Sequence, residues 1–109
     1  MSSAIYRLTT PTLEYLMPDD VPVDELKWLV WTFTQGNAIV LEKSLTDLEL
    51  DGQLLCLSLT QAETKLFSAE APIKFQIRCG IDDDALASVK GVIDVYDVYN
   101  DNVIEVITV

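Results

Sequence analysis

Apolar and polar residues alternate with a period of two along most of the chain, which is the pattern of β-strands with one buried face. Turn-forming residues interrupt the alternation about every 8–12 residues, a spacing typical of a β-sandwich of immunoglobulin-like size. The sequence therefore predicts an all-β, antiparallel sandwich of about seven to nine strands. The predicted strands cover residues 12–17, 26–34, 38–43, 48–50, 53–59, 73–79, 85–95 and 103–109, with a short strand or arm at 5–8.

The strongest predicted strand, residues 26–34 (LKWLVWTFT), is apolar on both faces at its middle. This predicts a central strand that is covered on both sides. Trp28 and Trp31 lie three positions apart and therefore face opposite sides. One tryptophan is expected in the core. The other, for which Trp31 is the candidate, is either a second core residue or an interface anchor.

Breaks in the alternation predict where strands end or bend. Pro11 and Pro18 flank residues 12–17 and favour an edge strand there, because proline cannot donate to a ladder of backbone hydrogen bonds. Asp51-Gly52 predicts a tight hairpin turn. Gly91 predicts a bulge or bend within residues 85–95.

A single short helix is predicted near residues 60–67. Thr60 and Glu63 have the spacing of a capping box, in which each side chain bonds the backbone amide of the other residue. Leu66 and Phe67 would then fold onto the core. We expect this helix to be a short crossover between the two sheets.

The chain has 109 residues and a net charge of −11, from 18 acidic and 7 basic residues. This length predicts one domain over residues 1–109, with residues 1–10 as an arm or an edge strand. An acidic surface disfavours nucleic acid and anionic membranes, both of which bind through Lys and Arg. The acidity is interpreted as a source of solubility, with a basic partner surface or divalent cations as the alternatives.

The residues that most often carry catalysis are missing. There is no histidine, which excludes Ser-His-Asp and Cys-His systems. Two isolated cysteines do not make a zinc site, and neither common phosphate-binding glycine loop occurs. Composition leaves a two-carboxylate glycosidase open. The sequence nevertheless predicts a protein that is not an enzyme and holds no cofactor.

Cys56 and Cys79 lie in alternating apolar segments, where free cysteine behaves as a small buried hydrophobe. A disulfide between them is left open, because its geometry cannot be read from sequence. The first residues do not have the pattern of a signal peptide, and no apolar run approaches about 20 residues. These features predict cytoplasmic synthesis with reduced thiols.

Two clusters of side chains are candidates for binding. Asp82, Asp83 and Asp84 are weak metal candidates, because clustered carboxylates bind calcium, although aspartates also form hairpin turns and the turn is favoured. Near the C-terminus, aromatic and amide side chains flank a predicted turn at residues 100–102 and could bind sugar or protein. The apolar strand that follows would invite pairing at a sheet edge. The interface candidates in this region are Tyr96, Tyr99, Val103, Val106 and Ile107.

Several short motifs resemble a group of small prophage-encoded proteins of phage structural or tail gene modules. They are RLTTPT at 7–12, QG at 35–36, VLEK at 40–43, DLELDG at 47–52, LTQAETKLF at 59–67, PIKFQIR at 72–78 and DALAS at 84–88. The resemblance covers about residues 6–90 and departs from about Gly91 onward. It implies a β-sandwich with a virion-associated or assembly role, and it implies no catalytic residues.

Three functions follow as hypotheses. The first is a non-enzymatic, phage-derived structural or assembly protein that binds other protein subunits, of its own or another kind. The second is a small carbohydrate- or calcium-binding module that uses the aspartate and tyrosine loops. The third is a small enzyme. The apolar strand at 103–109 suggests that the protein assembles by pairing with another copy or another chain.

Overall fold

The computed structural model describes residues 4–96, which form eight strands and one short α-helix in two sheets. The elements in chain order are β1 (Ala4–Tyr6), β2 (Thr12–Leu16), β3 (Trp28–Gln35), β4 (Ala38–Ser44), β5 (Glu49–Asp51), β6 (Leu54–Ser58), α1 (Gln61–Lys65), β7 (Ile73–Ile81) and β8 (Asp84–Tyr96). One sheet has the order β1-β8-β7-β3-β4 and the other the order β2-β6-β5. Two short 3-10 turns, Val23–Glu25 and Leu45–Asp47, join strands.

The strand order is that of an immunoglobulin-like sandwich, the class of fold that the alternation predicted, although the alternation did not predict the order itself. Immunoglobulin domains place strands B, E and D in one sheet and C, F and G in the other, and variable-type domains add C′ beside C. When β2 to β8 are taken as B, C, C′, D, E, F and G, the two sheets have the orders B-E-D and G-F-C-C′. The prediction of an all-β sandwich with one short helix is therefore confirmed.

One strand pair departs from the antiparallel arrangement. β1 runs parallel to the last part of β8, with Ile5 opposite Val95 and Tyr6 opposite Tyr96. The chain then crosses to the other sheet through residues 7–11 and enters β2. The alternation of side chains could not reveal this pairing, because it fixes which face a residue occupies but not the direction of the neighbouring strand.

The core lies between the sheets and is rich in aromatic rings. Trp31 and Phe33 on β3 stack with ring centroids 5.6 Å apart, and Phe75 on β7 lies 5.9 Å from Trp31. Phe67, just after α1, meets Phe33 edge to face at 6.1 Å. The short helix therefore closes one end of the core, which is the role predicted for Phe67, whereas Leu66 is 58% exposed and does not fold onto the core.

Among the described residues, the central strand β3 is covered on one face only. Leu29, Trp31 and Phe33 are buried between the sheets, whereas Trp28 and Val30 on the other face are half-buried. The prediction that both faces are covered was wrong. Apolar residues continue onto the outer face, but β7 and β4 flank the strand within its sheet without forming a second layer over it.

The first glycine-containing hairpin turn lies within the gap between the predicted strands 26–34 and 38–43, whereas the second forms one residue later than the predicted Asp51-Gly52 turn. β3 and β4 are joined by Gly36 and Asn37, and β5 and β6 by Gly52 and Gln53. Gly36 has φ +61° and Gly52 has φ +57°. Both glycines occupy the left-handed region, which other residues enter at a cost.

The capping box of α1 forms as predicted and also ties the helix to β4. The Thr60 amide donates to Glu63 Oε1 at 2.9 Å, and the Glu63 amide donates to Thr60 Oγ1 at 3.1 Å. The Lys43 ammonium forms an ion pair with Glu63. Burial alone would raise the pKa of Glu63, but the hydrogen bonds from Lys43 and Thr60 outweigh it and hold that pKa below its ordinary value.

Replacing Glu63 by glutamine should therefore remove a stabilisation that depends on pH. A carboxylate with a lowered pKa in the folded state stabilises the fold above its unfolded pKa of about 4.3, and this contribution is lost as the pH falls through the folded pKa. We expect Glu63→Gln to cost about 0.5–1 kcal/mol at pH 7 and less at pH 3. Urea unfolding at both pH values measures this. An equal loss at pH 3, or the same loss from Glu70→Gln in the exposed loop, would contradict it.

Candidate functional site

A cleft of about 620 Å³ opens between one edge of each sheet. Residues of β2 line one side and residues 90–93 of β8 line the other. Trp31 and Phe75 reach it from the core. The cleft is thus apolar inside and is flanked by backbone on both sides.

The β2 side of the cleft presents unpaired backbone groups. The Leu59 amide donates to the Pro11 carbonyl, and the Met17 amide donates to the Gln53 carbonyl. Because successive residues of a strand direct their backbone groups to opposite edges, odd-numbered residues of β2 bond β6. The amides and carbonyls of Thr12, Glu14 and Leu16 therefore point to the edge along which no strand lies within residues 4–96.

The β8 side has the same property over part of its length. The Arg7 amide donates to the Tyr96 carbonyl, so the even-numbered residues of β8 direct their backbone groups away from β7. β1 pairs only with the last three residues of β8, Asp94 to Tyr96. Among the described residues, the backbone groups of Lys90 and Val92 have no strand beside them. Immunoglobulin domains place a strand A beside B, and that is the position open next to β2.

Gly91 shapes the cleft wall and forms no bulge in the pairing of β8 with β7. β8 pairs in register with β7 through Phe75 and Gly91, and the register shifts at Cys79 and Gly80. The predicted bulge at Gly91 was therefore wrong. A Cβ atom at position 91 would overlap the Phe75 ring, so the absence of a side chain lets that ring lie across the strand and face the cleft.

Trp31 belongs to the core and reaches the floor of the cleft from there. It is 2% exposed, and its indole Nε1 is buried without a hydrogen-bond partner within the described structure. Trp28 lies on the opposite face of β3, half-buried, and donates its indole N–H to the Asp82 carbonyl at 2.9 Å. Of the two tryptophans, Trp28 is thus the one that reaches the surface.

The other interface candidates fall at the end of the described chain. Tyr96 is 48% exposed and stacks on Tyr6, with ring centroids 5.1 Å apart. It therefore helps hold β1 on β8 while leaving one side open. The remaining candidates, Tyr99, Val103, Val106 and Ile107, lie outside the described residues.

The aspartate cluster forms a turn. Ile81 pairs with Asp84, so Asp82 and Asp83 are a two-residue connection between β7 and β8, with φ +52° at Asp82. β7 ends at Ile81 and β8 begins at Asp84, so both strands extend into residues 80–84, which separated the predicted strands. Within residues 4–96 no three His, Cys, Asp or Glu side chains lie in an arrangement that could hold a metal ion.

Both cysteines are free thiols on different sheets and different faces. Cys79 faces the core on β7, and burial raises its pKa. Cys56 is half-buried on the outer face of β6, where burial and then the charges of Glu14, Asp51 and Glu49 raise its pKa. Both thiols are therefore mostly protonated near neutral pH.

Comparisons with protein-family models, with curated proteins and with solved structures find no match to this chain. In the part of the chain that the structure describes, no helix has the length and apolar character needed to cross a membrane.

Of the residues that line the cleft, sequence analysis named only Trp31 as an interface candidate. Gly91 was noted only as a break in a strand, and Phe75 only as one residue of an alternating pattern. The one available signal was the pair of prolines, Pro11 and Pro18, which marked β2 as an edge strand. That prediction holds for the described residues, and it locates one side of the cleft.

Proposed function

We propose that this protein is a non-enzymatic structural or assembly module, of the phage or prophage type that its motifs resemble, acting through protein–protein contacts. The observation that carries the proposal is the cleft between two strand edges whose backbone groups have no strand beside them within residues 4–96. Such edges recruit an extended segment of another chain, which gains main-chain hydrogen bonds while its alternate side chains enter the pocket. The apolar floor of Trp31 and Phe75 suits alternate apolar side chains.

The occupant that fits best is the apolar stretch at residues 103–109 of a second copy. Its sequence, VIEVITV, is rich in β-branched residues and carries one charge. Seven residues in extended conformation span about 24 Å, and the five residues of β2 span about 17 Å, so the stretch is long enough to line the open edge. This stretch lies outside the described residues, and its assignment rests on its sequence.

The test is sedimentation velocity of the full chain over a wide range of concentrations, with variants on each side of the contact. Leu16→Pro removes an amide that points to the open edge and leaves the bonds to β6 in place. Val106→Pro removes an amide from the stretch that would insert. We expect the unaltered chain to associate, and each proline variant to need at least about tenfold more protein to do so.

Leu16→Val is the matched control, because it keeps the amide and an exposed apolar side chain at the same position. It should associate like the unaltered chain. A monomer at every concentration would contradict assembly between copies. Equal behaviour of Leu16→Pro and Leu16→Val would show that the edge of β2 is not the contact.

A further inference from the structure

The outer face of the five-stranded sheet carries a basic patch on an otherwise acidic protein. Lys74 and Arg78 lie on β7 on either side of Gln76, and Gln76 pairs with Lys90 on β8. All three cations are exposed, and none makes an ion pair within the described structure. They are three of the seven basic residues of the chain. We call these three residues the basic patch.

Two residues of the basic patch, Lys74 and Lys90, line a depression of about 410 Å³ on that face. Thr32 and Thr34 of β3 line it together with Lys74, Gln76 and Lys90. Two acidic residues lie at the margins of the same face, Glu42 on β4 and Asp94 near the end of β8. The centre of the face is therefore concave and positive, and Phe75 and Val92 add apolar surface to its lining.

The outer face of the three-stranded sheet carries the opposite charge. Glu14, Cys56 and Glu49 form one row across β2, β6 and β5, and Asp51 lies in the next row beside Leu54. No Lys or Arg occurs in these three strands. We call Glu14, Glu49 and Asp51 the acidic patch. Because the two sheets form opposite sides of one sandwich, the acidic and basic patches face away from each other.

We propose that copies of this protein stack face to face, with the acidic patch of one copy against the basic patch of the next. Three carboxylates then meet three cations that form no ion pair within residues 4–96. The two patches differ, so the contact is heterologous, and each added copy leaves one patch of each kind free. The product is an open series of copies. This contact uses the sheet faces and does not depend on occupation of the cleft.

Net charge opposes this stacking, and the ionic strength decides how strongly. Each copy carries −11, so copies repel one another at long range. At about 0.15 M salt the Debye length is about 8 Å, which screens most of that repulsion while ion pairs within about 4 Å persist. Exposed ion pairs contribute little individually, so we expect weak association that needs high protein concentration.

A charge-swap experiment in the full chain tests the stacking. Lys74→Glu with Arg78→Glu makes both faces acidic, and Glu49→Lys with Asp51→Lys makes both faces basic, and none of these four residues lines the cleft. In sedimentation velocity at about 0.15 M salt, we expect each double variant alone to require at least about tenfold more protein to associate. In an equimolar mixture, the acidic faces of one double variant can pair with the basic faces of the other. The mixture should associate at a protein concentration within about threefold of that needed by the unaltered chain.

The controls change net charge equally but away from the two patches. Lys27→Glu with Lys65→Glu gives −15, as does the first double variant, since −11 − 4 = −15. Asp19→Lys with Asp20→Lys gives −7, as does the second, since −11 + 4 = −7. Both controls should associate at most threefold differently from the unaltered chain, once circular dichroism has confirmed that all variants fold.

Several results would overturn the stacking. They are a chain that stays monomeric, swap variants that associate like their controls, or a mixture that does not recover. The cleft proposal fails separately, because Leu16→Pro leaves both patches intact. Association that is lost in Leu16→Pro but kept in both swap variants supports the cleft and contradicts the stacking, and the reverse result does the opposite.

Discussion

Replacing Trp31 by alanine should lower the free energy of unfolding by about 3–5 kcal/mol. The side chain is 2% exposed and stacks between Phe33 and Phe75, so its removal opens a cavity at the centre of the aromatic core. A domain of this size is stable by about 5–15 kcal/mol in total, so the variant would retain only part of its stability. Urea unfolding measures the loss, and the remaining Trp28 provides the fluorescence signal.

Replacing Trp31 by phenylalanine should cost far less, about 1 kcal/mol or below. The smaller ring gives up some packing. It also removes a buried indole N–H that has no hydrogen-bond partner within the described structure, and such a group costs about 1–3 kcal/mol. The comparison separates volume from polarity. If Trp31→Phe and Trp31→Ala lower the free energy of unfolding equally, the indole N–H of Trp31 has a hydrogen-bond partner after all.

The sequence predicts the sandwich well because burial of one face of a strand produces alternating apolar and polar residues along the chain. Leu29, Trp31 and Phe33 alternate with partly exposed residues, and the structure buries these three. The capping box at Thr60 and Glu63 is equally local, since both of its hydrogen bonds span three residues. Features that depend on near neighbours along the chain were therefore predictable.

The cleft and the patches are properties of the assembled sheets. Gly91 shapes a wall because it pairs with Phe75, which is 16 positions away, and alternation alone does not fix that register. The same limit applies to the two tryptophans of β3. The alternation predicted that they lie on opposite faces of the sheet, but it did not predict that the face with Trp31 forms the core. Lys90 joins Lys74 only through the pairing of β7 with β8. Long-range register therefore decides the candidate surfaces.

Thr64 is a second case in which a distant contact decides the role of a residue, and its loss should destabilise the fold by about 1–3 kcal/mol. Its side chain is fully buried beside the connection from β1 to β2. The hydroxyl donates to the Thr9 carbonyl at 2.9 Å and accepts from the Thr9 amide at 3.1 Å. Thr64→Val keeps the shape and removes both hydrogen bonds, so two backbone groups of Thr9 lose their partner. Urea unfolding measures the change.

The effect of Thr64→Val should also be localised. Thr9 lies in residues 7–11, which bring β1 to β8 and β2 to β6, so the amides of Ile5 and Leu13 should exchange with deuterium faster in the variant. Thr64→Ser keeps the hydroxyl and should preserve most of the protection at both amides. Equal exchange in the valine and serine variants would mean that the methyl group, not the hydroxyl, holds this connection. The two edges of the cleft would then depend on packing against α1 rather than on the hydrogen bonds to Thr9.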